Sequence, residues 1–275
     1  MRRIVLTAIS ASLTLGVVGA ASAALPTKTP GTLLIGTDNP AFSPWFGGGE
    51  KTKPWKFNDP NSGQGYESAV AYALAKELDY SKASVKWTVV DFTRSYAPGK
   101  KPFDIFINQV SYSPARAKNV DFSVSYYNVN QAVVVLKGKP AASAKTLAAL
   151  KPFKFGVQIG TTSFDAVKSR IKPSQDLVVF DRNVDAVQAL KNGQIDALVV
   201  DLPTAYFVTA AQVENSKIVG QLPTQGTPEH FGIVLEKGSR LTAPVNAALT
   251  RLRRNGTLKR LEQKWLAGAT APFLK

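Results

Sequence analysis

The chain has 275 residues, of which 44% are hydrophobic, enough to fill one large core or two medium ones. It contains no cysteine, which excludes disulfides, thiolate metal sites and a cysteine-linked lipid. The net charge of +15 suits nucleic-acid binding, but the 34 Lys and Arg residues are scattered and form no nucleic-acid-binding motif. We therefore expect no nucleic-acid partner.

Residues 1–23 have the composition of a cleaved export signal. Arg2 and Arg3 give a basic start, residues 4–20 are apolar or small, and Ala21-Ser22-Ala23 supplies the small residues that a signal peptidase accepts. An uncleaved membrane anchor is less favoured, because Ser, Thr and Gly dilute the apolar run and no charged flank follows. We expect cleavage after Ala23 and a soluble protein that is periplasmic or secreted.

Short strand-like runs then alternate with helix-like runs, a pattern that predicts an α/β fold with mainly parallel sheets. The predicted strands are residues 33–35, 85–92, 103–107, 132–136, 155–157, 178–180, 197–200 and 231–235. Apolar residues at helical spacing predict helices over 66–78, 184–191, 245–252 and 257–265. The polar, Pro-containing segment 137–145 is predicted to open a second lobe.

Residues that could form a catalytic centre are few. His230 is the single histidine, which excludes a metal site built from several histidines, and no Gly-x-Ser-x-Gly elbow or phosphate-binding P-loop accompanies it. We interpret His230 as structural. The sequence therefore favours a binding protein over an enzyme, with no metal and no cofactor.

A site for a free amino acid must pair both ligand charges, with an arginine for the carboxylate and an acid for the ammonium. Arg116 lies just beyond a predicted strand, Thr161 opens a predicted helix, and Asp201 ends a very apolar strand. Each has a simpler interpretation as well. Arg116 could form a surface ion pair, and Thr161 and Asp201 could be helix caps.

An ordered set of motifs runs along the chain. They are Leu34-Ile35-Gly36-Thr37-Asp38, Gly65-Tyr66-Glu67, Ser111-Tyr112-Ser113-Pro114-Ala115-Arg116-Ala117, Val120-Asp121-Phe122-Ser123, Tyr126-Tyr127, Gly156-Val157-Gln158-Ile159-Gly160-Thr161-Thr162, Asn192-Gly193-Gln194-Ile195-Asp196-Ala197 and Lys264-Trp265-Leu266. From about Thr32 to Leu266 the chain resembles the bacterial extracellular solute-binding proteins of family 3, the polar-amino-acid binders of ABC importers.

The resemblance implies the type II periplasmic-binding-protein fold, in which two α/β lobes are joined by a two-strand hinge and the ligand cleft lies between them. Residues 32–130 and 231–275 would form lobe 1, and residues 131–230 lobe 2. The protein would be a monomer that closes on a polar or basic L-amino acid and delivers it to a membrane permease with its cytoplasmic ATPase. The alternative is a cleft enzyme of the same fold, similar to cyclohexadienyl dehydratase.

The resemblance also implies roles for site residues. Arg116 would hold the ligand α-carboxylate, assisted by Ser111 and Thr161, and Asp201 would take the α-ammonium. The aromatic rings of Phe42 and Phe92 would enclose the ligand side chain, and Asp38 would contact a polar tip. The remaining expected ligand-binding residues are Asn108, Gln109, Thr162 and Gln158.

The chain departs from the family pattern at three points. Ala69 replaces the usual second acid after the Gly-Tyr-Glu motif, and Gln109 replaces the usual Gly before the serine motif. Asn39-Pro40 adds about one residue before Phe42. The last two changes alter the pocket floor, so the ligand stays open between glutamine or asparagine and arginine or lysine.

Overall fold

The computed structural model describes residues 24–224, 226–266 and 270–275. The predicted export signal, including cleavage after Ala23, lies outside the described residues. Within these ranges the strands are β1 (Leu33–Thr37), β2 (Val85–Val89), β3 (Ile105–Phe106), β4 (Val120–Phe122), β5 (Tyr127–Asn128), β6 (Gln131–Leu136), β7 (Phe155–Gln158), β8 (Val178–Phe180), β9 (Ala197–Asp201), β10 (Ser216–Gln221), β11 (His230–Phe231) and β12 (Val234–Glu236). The α-helices are α1 (Tyr66–Glu77), α2 (Phe92–Ser95), α3 (Pro114–Ala117), α4 (Leu147–Leu150), α5 (Thr162–Ala166), α6 (Asn183–Lys191), α7 (Leu202–Phe207), α8 (Thr242–Arg254) and α9 (Thr257–Trp265).

The strands form two separate five-stranded sheets. The first has the order β2-β1-β3-β12-β4 and the second the order β10-β6-β9-β7-β8. Parallel pairs join β1 to β2 and β3, and β7 to β8 and β9, while β12 and β6 run antiparallel to their neighbours. We call the first sheet with its helices lobe 1 and the second lobe 2. The predicted two-lobed α/β fold is confirmed.

A short antiparallel ribbon joins the lobes. In it β5 pairs with β11, with Tyr127 opposite Phe231. The predicted strand 231–235 is therefore two strands, because its first residues belong to the ribbon and β12 joins the sheet of lobe 1. The predicted strand 85–92 is also too long, since it ends at Val89 and the chain turns at Asp91 into α2.

The loop before α1 brings an aromatic cluster into the core of lobe 1. Gly65 has φ 87°, and a Cβ there would lie 2.5 Å from backbone atoms of Trp45 and Phe46. Only glycine permits this approach. Tyr66 and Glu67, which follow, are both fully buried. The Gly-Tyr-Glu motif therefore lies where the chain packs directly on the backbone of Trp45 and Phe46.

The C-terminal residues leave lobe 1. Helices α8 and α9 pack on α1, but Phe273 bridges to Gln221 at the edge of the second sheet. Leu274 is buried in the core of lobe 2, where Gly220 gives it room, and its N–H donates to the carbonyl of Gln221 at 2.9 Å. Residues 270–275 thus lie against lobe 2, unlike the predicted allocation of 231–275 to lobe 1.

Candidate ligand-binding site

A cavity lies between the lobes at the carboxyl ends of their strands. Segments that follow β1, β2 and β3 line it from lobe 1, and segments at the ends of β7, β8 and β9 line it from lobe 2. Strand ends of open α/β sheets are the usual place for ligands. Every residue predicted for the site lines this cavity, namely Asp38, Phe42, Phe92, Asn108, Gln109, Ser111, Arg116, Gln158, Thr161, Thr162 and Asp201. Their roles towards a ligand stay predictions.

The Ser-Pro-x-Arg sequence explains how Arg116 is positioned. The hydroxyl of Ser113 caps α3 by accepting a hydrogen bond from the backbone N–H of Arg116 at 3.2 Å. Pro114 occupies the first helical position, where its fixed φ favours the helix and its missing N–H costs nothing. The Ser113 cap and Pro114 together fix the backbone of Arg116 beside the cavity.

The guanidinium of Arg116 is buried and bridges the two lobes. It donates to the backbone carbonyl of Ser111 in lobe 1 at 2.6 Å and to that of Gly160 in lobe 2 at 2.7 Å. The rings of Tyr96 and Phe92 lie 4.5 and 5.6 Å from its central carbon. No carboxylate in the described part of the chain lies within ion-pairing distance of Arg116, so the surface ion-pair interpretation is wrong.

Further contacts hold the lobes together at the cavity wall. The hydroxyl of Tyr96 donates to the carbonyl of Gly160 at 2.9 Å. Gly160 has φ +71°, and a Cβ there would lie 2.5 Å from the Tyr96 hydroxyl oxygen. Across the cavity, the indole N–H of Trp45 donates to the hydroxyl of Thr204 at 2.9 Å. The lobes are therefore in direct contact, and the cleft is closed.

The two threonines at the start of α5 have different contacts. The hydroxyl of Thr161 accepts from the N–H of Phe164 at 3.1 Å and donates to the carbonyl of Gln158 at 2.8 Å. Thr161 is therefore a helix cap, as one of the two sequence interpretations predicts. The hydroxyl of Thr162 instead donates to Glu229 at 2.5 Å. The hydroxyl of Thr162 also lies 3.3 Å from the hydroxyl of Ser111.

Glu229 was not predicted from the sequence, yet it links most polar groups around Arg116. Its carboxylate accepts from the hydroxyl of Ser111 at 2.6 Å and from the side-chain amide of Gln131 at 3.2 Å. The residue lies in the loop before β11, where a single acid carries no recognisable signal. Gln131 is fully buried and also went unpredicted.

Asp201 lies beside this network. Asp201 occupies the N-cap position of α7, as the helix-cap interpretation predicts, but its side chain makes no capping bond. Its carboxylate instead accepts from the side-chain amide of Gln131 at 2.7 Å. Burial, together with the nearby charge of Glu229, raises the pKa of Asp201 well above its usual range. A cation placed against Asp201 would therefore stabilise its charged form.

Gln109 has a structural contact that the sequence did not reveal. Its φ of +48° lies in the left-handed region, which explains why the family pattern has glycine here. Its backbone N–H and its side-chain amide both donate to the carboxylate of Glu67 at 2.6 Å. Glu67 also accepts from the hydroxyl of Tyr126. Its burial raises the pKa of Glu67 to about 7.

Two further charged side chains, Asp38 and Arg182, line the cavity. Asp38 follows β1 in lobe 1, and its burial raises the pKa of this carboxyl to about 6, while the positive charge of Arg182 opposes the rise. Arg182 follows β8 in lobe 2 and pairs with Asp185 at 3.1 Å. Arg182 went unpredicted, although the strand-end rule that found the other residues applies to it equally.

Aromatic rings complete the cavity wall. Phe92 is buried beneath Arg116, whereas Phe42 is partly exposed and packs on Phe57 with ring centroids 5.3 Å apart. Trp45 is a third ring that the sequence analysis missed. It is fully buried and meets Phe231 edge to face, so the cavity wall is continuous with the lobe 1 core and the crossing ribbon.

The single histidine packs against an aromatic ring. The ring of His230 stacks on Tyr112 with centroids 5.5 Å apart. Within residues 24–224, 226–266 and 270–275, no group of three His, Cys, Asp or Glu side chains could hold a metal ion. In the same ranges no helix is both long and apolar enough to cross a membrane.

Two α/β lobes, a two-strand crossing and a polar cleft at the strand ends define a type II periplasmic binding protein. The chain matches the bacterial extracellular solute-binding proteins, family 3, over residues 46–268, and it belongs to that family. The resemblance that the sequence motifs indicated is thereby confirmed.

The chain is similar to several proteins that are named for binding amino acids. The chain is 31% identical over 241 residues to the L-cystine-binding protein TcyJ of Escherichia coli (strain K12). The aligned region covers 86% of this chain and 84% of the relative. It is 33% identical, with a TM-score of 0.70, to an ancestral arginine-binding protein bound to glutamine, covering 86% of this chain and 98% of that one. The ancestral amino-acid-binding protein AncCDT-1, a precursor of cyclohexadienyl dehydratase, is 30% identical with a TM-score of 0.68, covering 86% and 95% of the two chains.

Proposed function

We propose that this protein is the binding component of an amino-acid ABC importer and that it captures a polar or basic L-amino acid outside the cytoplasmic membrane. The observation that carries the proposal is the buried guanidinium of Arg116, which lies between the lobes and faces no carboxylate partner among the described residues. Relatives named for cystine and for arginine support amino acids as the ligand class.

The proposed clamp pairs both charges of the ligand. Arg116 binds the α-carboxylate in two-point fashion, and Asp201 binds the α-ammonium. The hydroxyls of Ser111 and Thr162, which donate to Glu229 in this structure, turn to the ligand carboxylate when it binds. The ammonium offsets the cost of burying the Asp201 carboxylate, and the ligand carboxylate does the same for Arg116, whose pKa burial lowers. A ligand with only one of these charges leaves the other buried group unpaired.

The proposed clamp is divided between the two lobes, and this division explains why a bound ligand would favour the closed cleft. Arg116 and Ser111 belong to lobe 1, whereas Thr162 and Asp201 belong to lobe 2. A ligand that touches both lobes binds the closed form better than the open form and shifts the equilibrium towards closure by that difference in affinity. The crossing ribbon of β5 and β11 is the proposed hinge, and the closed monomer is the form presented to the permease.

A cleft dehydratase is the alternative of a different class. It has less support, because the named curated relatives are binding proteins. Two cavity carboxyls are suited to donate a proton: Asp38, with a pKa raised to about 6, and Asp201, whose pKa burial raises well above its usual range. Measurable turnover of prephenate or arogenate, abolished in an Asp38→Asn variant, would establish this alternative instead.

The test of the binding function is calorimetry on the Arg116→Ala variant after co-purified ligand has been removed by unfolding and refolding. The wild-type protein should bind at least one L-amino acid, and the variant should lose about 2–5 kcal/mol of binding free energy, because the ligand carboxylate is then buried without a partner. Arg254→Ala, at an exposed site on α8, is the matched control. Near-wild-type affinity in a folded Arg116→Ala variant would refute the clamp.

A further inference from the structure

Glu229 lies at the crossing between the lobes, close to the proposed clamp. Its backbone carbonyl accepts a hydrogen bond from the N–H of Val129 on the other crossing segment at 3.0 Å, directly before β11 pairs with β5. In residues 24–224, 226–266 and 270–275 the Glu229 carboxylate forms no ion pair, and its partners are uncharged hydroxyl and amide groups. A negative charge is thus held at the proposed hinge by hydrogen bonds alone.

The Glu229 carboxylate joins the two lobes. Its Oε1 atom accepts from the hydroxyl of Ser111 in lobe 1 at 2.6 Å and from the hydroxyl of Thr162 in lobe 2 at 2.5 Å. The side-chain amide of Gln131, at the start of β6 in lobe 2, lies 3.2 Å from both carboxylate oxygens. Opening the cleft separates Ser111 from Thr162, so Glu229 can keep all of these bonds in the closed form only.

The same two hydroxyls belong to the proposed clamp. Ser111, Thr162 and Arg116 line one cavity. A serine or threonine hydroxyl has one proton to donate, and both of these hydroxyls donate to Glu229. A ligand carboxylate bound to Arg116 needs the same two protons. Two carboxylates, one from the ligand and one from the protein, therefore compete for one pair of donors.

Glu229 also acts on the charge of Arg116. Burial lowers the pKa of the Arg116 guanidinium, and the nearby charges of Tyr96 and Glu229 oppose this change. At a separation too long for an ion pair, Glu229 thus gives Arg116 part of the compensation that a ligand carboxylate would give. The competition between the two carboxylates therefore extends from hydrogen bonds to charge.

Building on the proposed function, we propose that Glu229 is an internal competitor of the ligand α-carboxylate, which joins the lobes through Ser111 and Thr162 and thereby lowers the affinity of the cleft for α-amino acids. A ligand must take two hydroxyl protons from Glu229, and the two carboxylates then repel each other. All α-amino acids share the carboxylate that is involved. Glu229 therefore lowers the affinity for each of them by the same factor and leaves the choice of side chain unchanged.

Glu229→Gln is the variant that weakens the competitor. The amide oxygen of glutamine can still accept from a hydroxyl, but a hydrogen bond to a neutral acceptor is about half as strong as one to a carboxylate. The titrants are L-arginine, L-lysine, L-glutamine and L-asparagine, the four ligands that the sequence leaves open. In calorimetry, each titrant that binds the wild type should bind Glu229→Gln about tenfold more tightly, with the ratios between titrants unchanged. Glu214→Gln removes one negative charge at an exposed position and should leave these affinities unchanged.

Two further measurements separate competition from a merely structural role. Small-angle X-ray scattering of the protein without ligand should give a larger mean radius of gyration for Glu229→Gln than for the wild type, because one link between the lobes is weaker. A residue that only supported the closed cleft would lower the affinity as the lobes opened, whereas a competitor raises it. In a Ser111→Ala, Thr162→Val background the contested protons are gone, so the gain from Glu229→Gln should shrink to about threefold or less, which charge repulsion alone supplies.

The outcomes separate this inference from the proposed function. An affinity of Glu229→Gln equal to or below that of the wild type would overturn the competitor role alone, and so would a tenfold gain that persists without the two hydroxyls. The Arg116 clamp is tested separately by Arg116→Ala. Failure of all four titrants to bind the wild-type protein would overturn both proposals.

Discussion

The buried carboxyl of Glu67 makes a quantitative prediction about stability. Its pKa is raised from an ordinary value of 4.5 to about 7, chiefly by burial in the core of lobe 1. Because the folded pKa lies above the unfolded one, the folded state retains a proton that the unfolded state releases. The stabilisation from Glu67 is complete below pH 4.5 and is lost as the pH rises through 7, and it amounts to about 3 kcal/mol over that window.

Glu67→Gln is a close structural substitute. The oxygen of a glutamine at this position can still accept from the N–H of Gln109 and the hydroxyl of Tyr126. Its amide can donate to Gln109 once that side-chain amide turns over, since the two side chains are 2.6 Å apart. The variant keeps these bonds but has no proton to lose at neutral pH.

Urea unfolding of the wild type and of Glu67→Gln at pH 5, 6.5 and 8 measures the effect. The free energy of unfolding of the variant relative to the wild type should rise by about 2–3 kcal/mol from pH 5 to pH 8. Taking the difference between the two proteins cancels the titration of all other groups. Glu214→Gln, at an exposed position, controls for a general effect of charge. A stability difference that is independent of pH would refute the reasoning.

Two further predictions concern binding. Asp38, with a pKa of about 6 in the unliganded protein, must be charged to bind an ammonium at the ligand tip, so below pH 6 its protonation should lower the affinity for such a ligand about tenfold per pH unit. Asp38→Asn should remove this contribution in calorimetric titrations and leave the one that comes from Asp201. Gly160 has a φ of +71°, and Gly160→Ala would place a methyl group 2.5 Å from the hydroxyl oxygen of Tyr96, so ligand affinity should fall. The control Asn192→Ala, at an exposed helix end, should leave the affinity unchanged. Unchanged affinity in the Gly160 variant would show that the lobes need not meet there to hold the ligand.

The sequence alone predicted those site residues that follow the carboxyl end of a strand. Asp201 ends an apolar strand, Arg116 lies in the segment that follows another, and parallel strands bring their carboxyl ends to one edge of a sheet. Asp38 was predicted from the family resemblance. The strand-end rule also covers Arg182, which was overlooked because the run after β8 has no motif of its own.

The missed residues depend on contacts that chain position does not reveal. Glu229 and Gln131 come together only because the crossing ribbon brings the loop before β11 beside the start of β6. The left-handed backbone of Gln109 was visible only as a departure from the family pattern. Its compensation by Glu67, 42 residues earlier, required the folded core.

The tail that crosses to lobe 2 has a practical consequence. Near the start of the described chain, the N–H of Lys28 donates to Asp104 at 2.7 Å and Leu25 packs on the core of lobe 1. The last residues, by contrast, are attached to lobe 2 through Leu274. The first described residues and the last ones therefore lie on different lobes. Fluorophores attached near Leu25 and at Lys275 would report opening and closing of the cleft as a change in energy transfer, without a label inside the site.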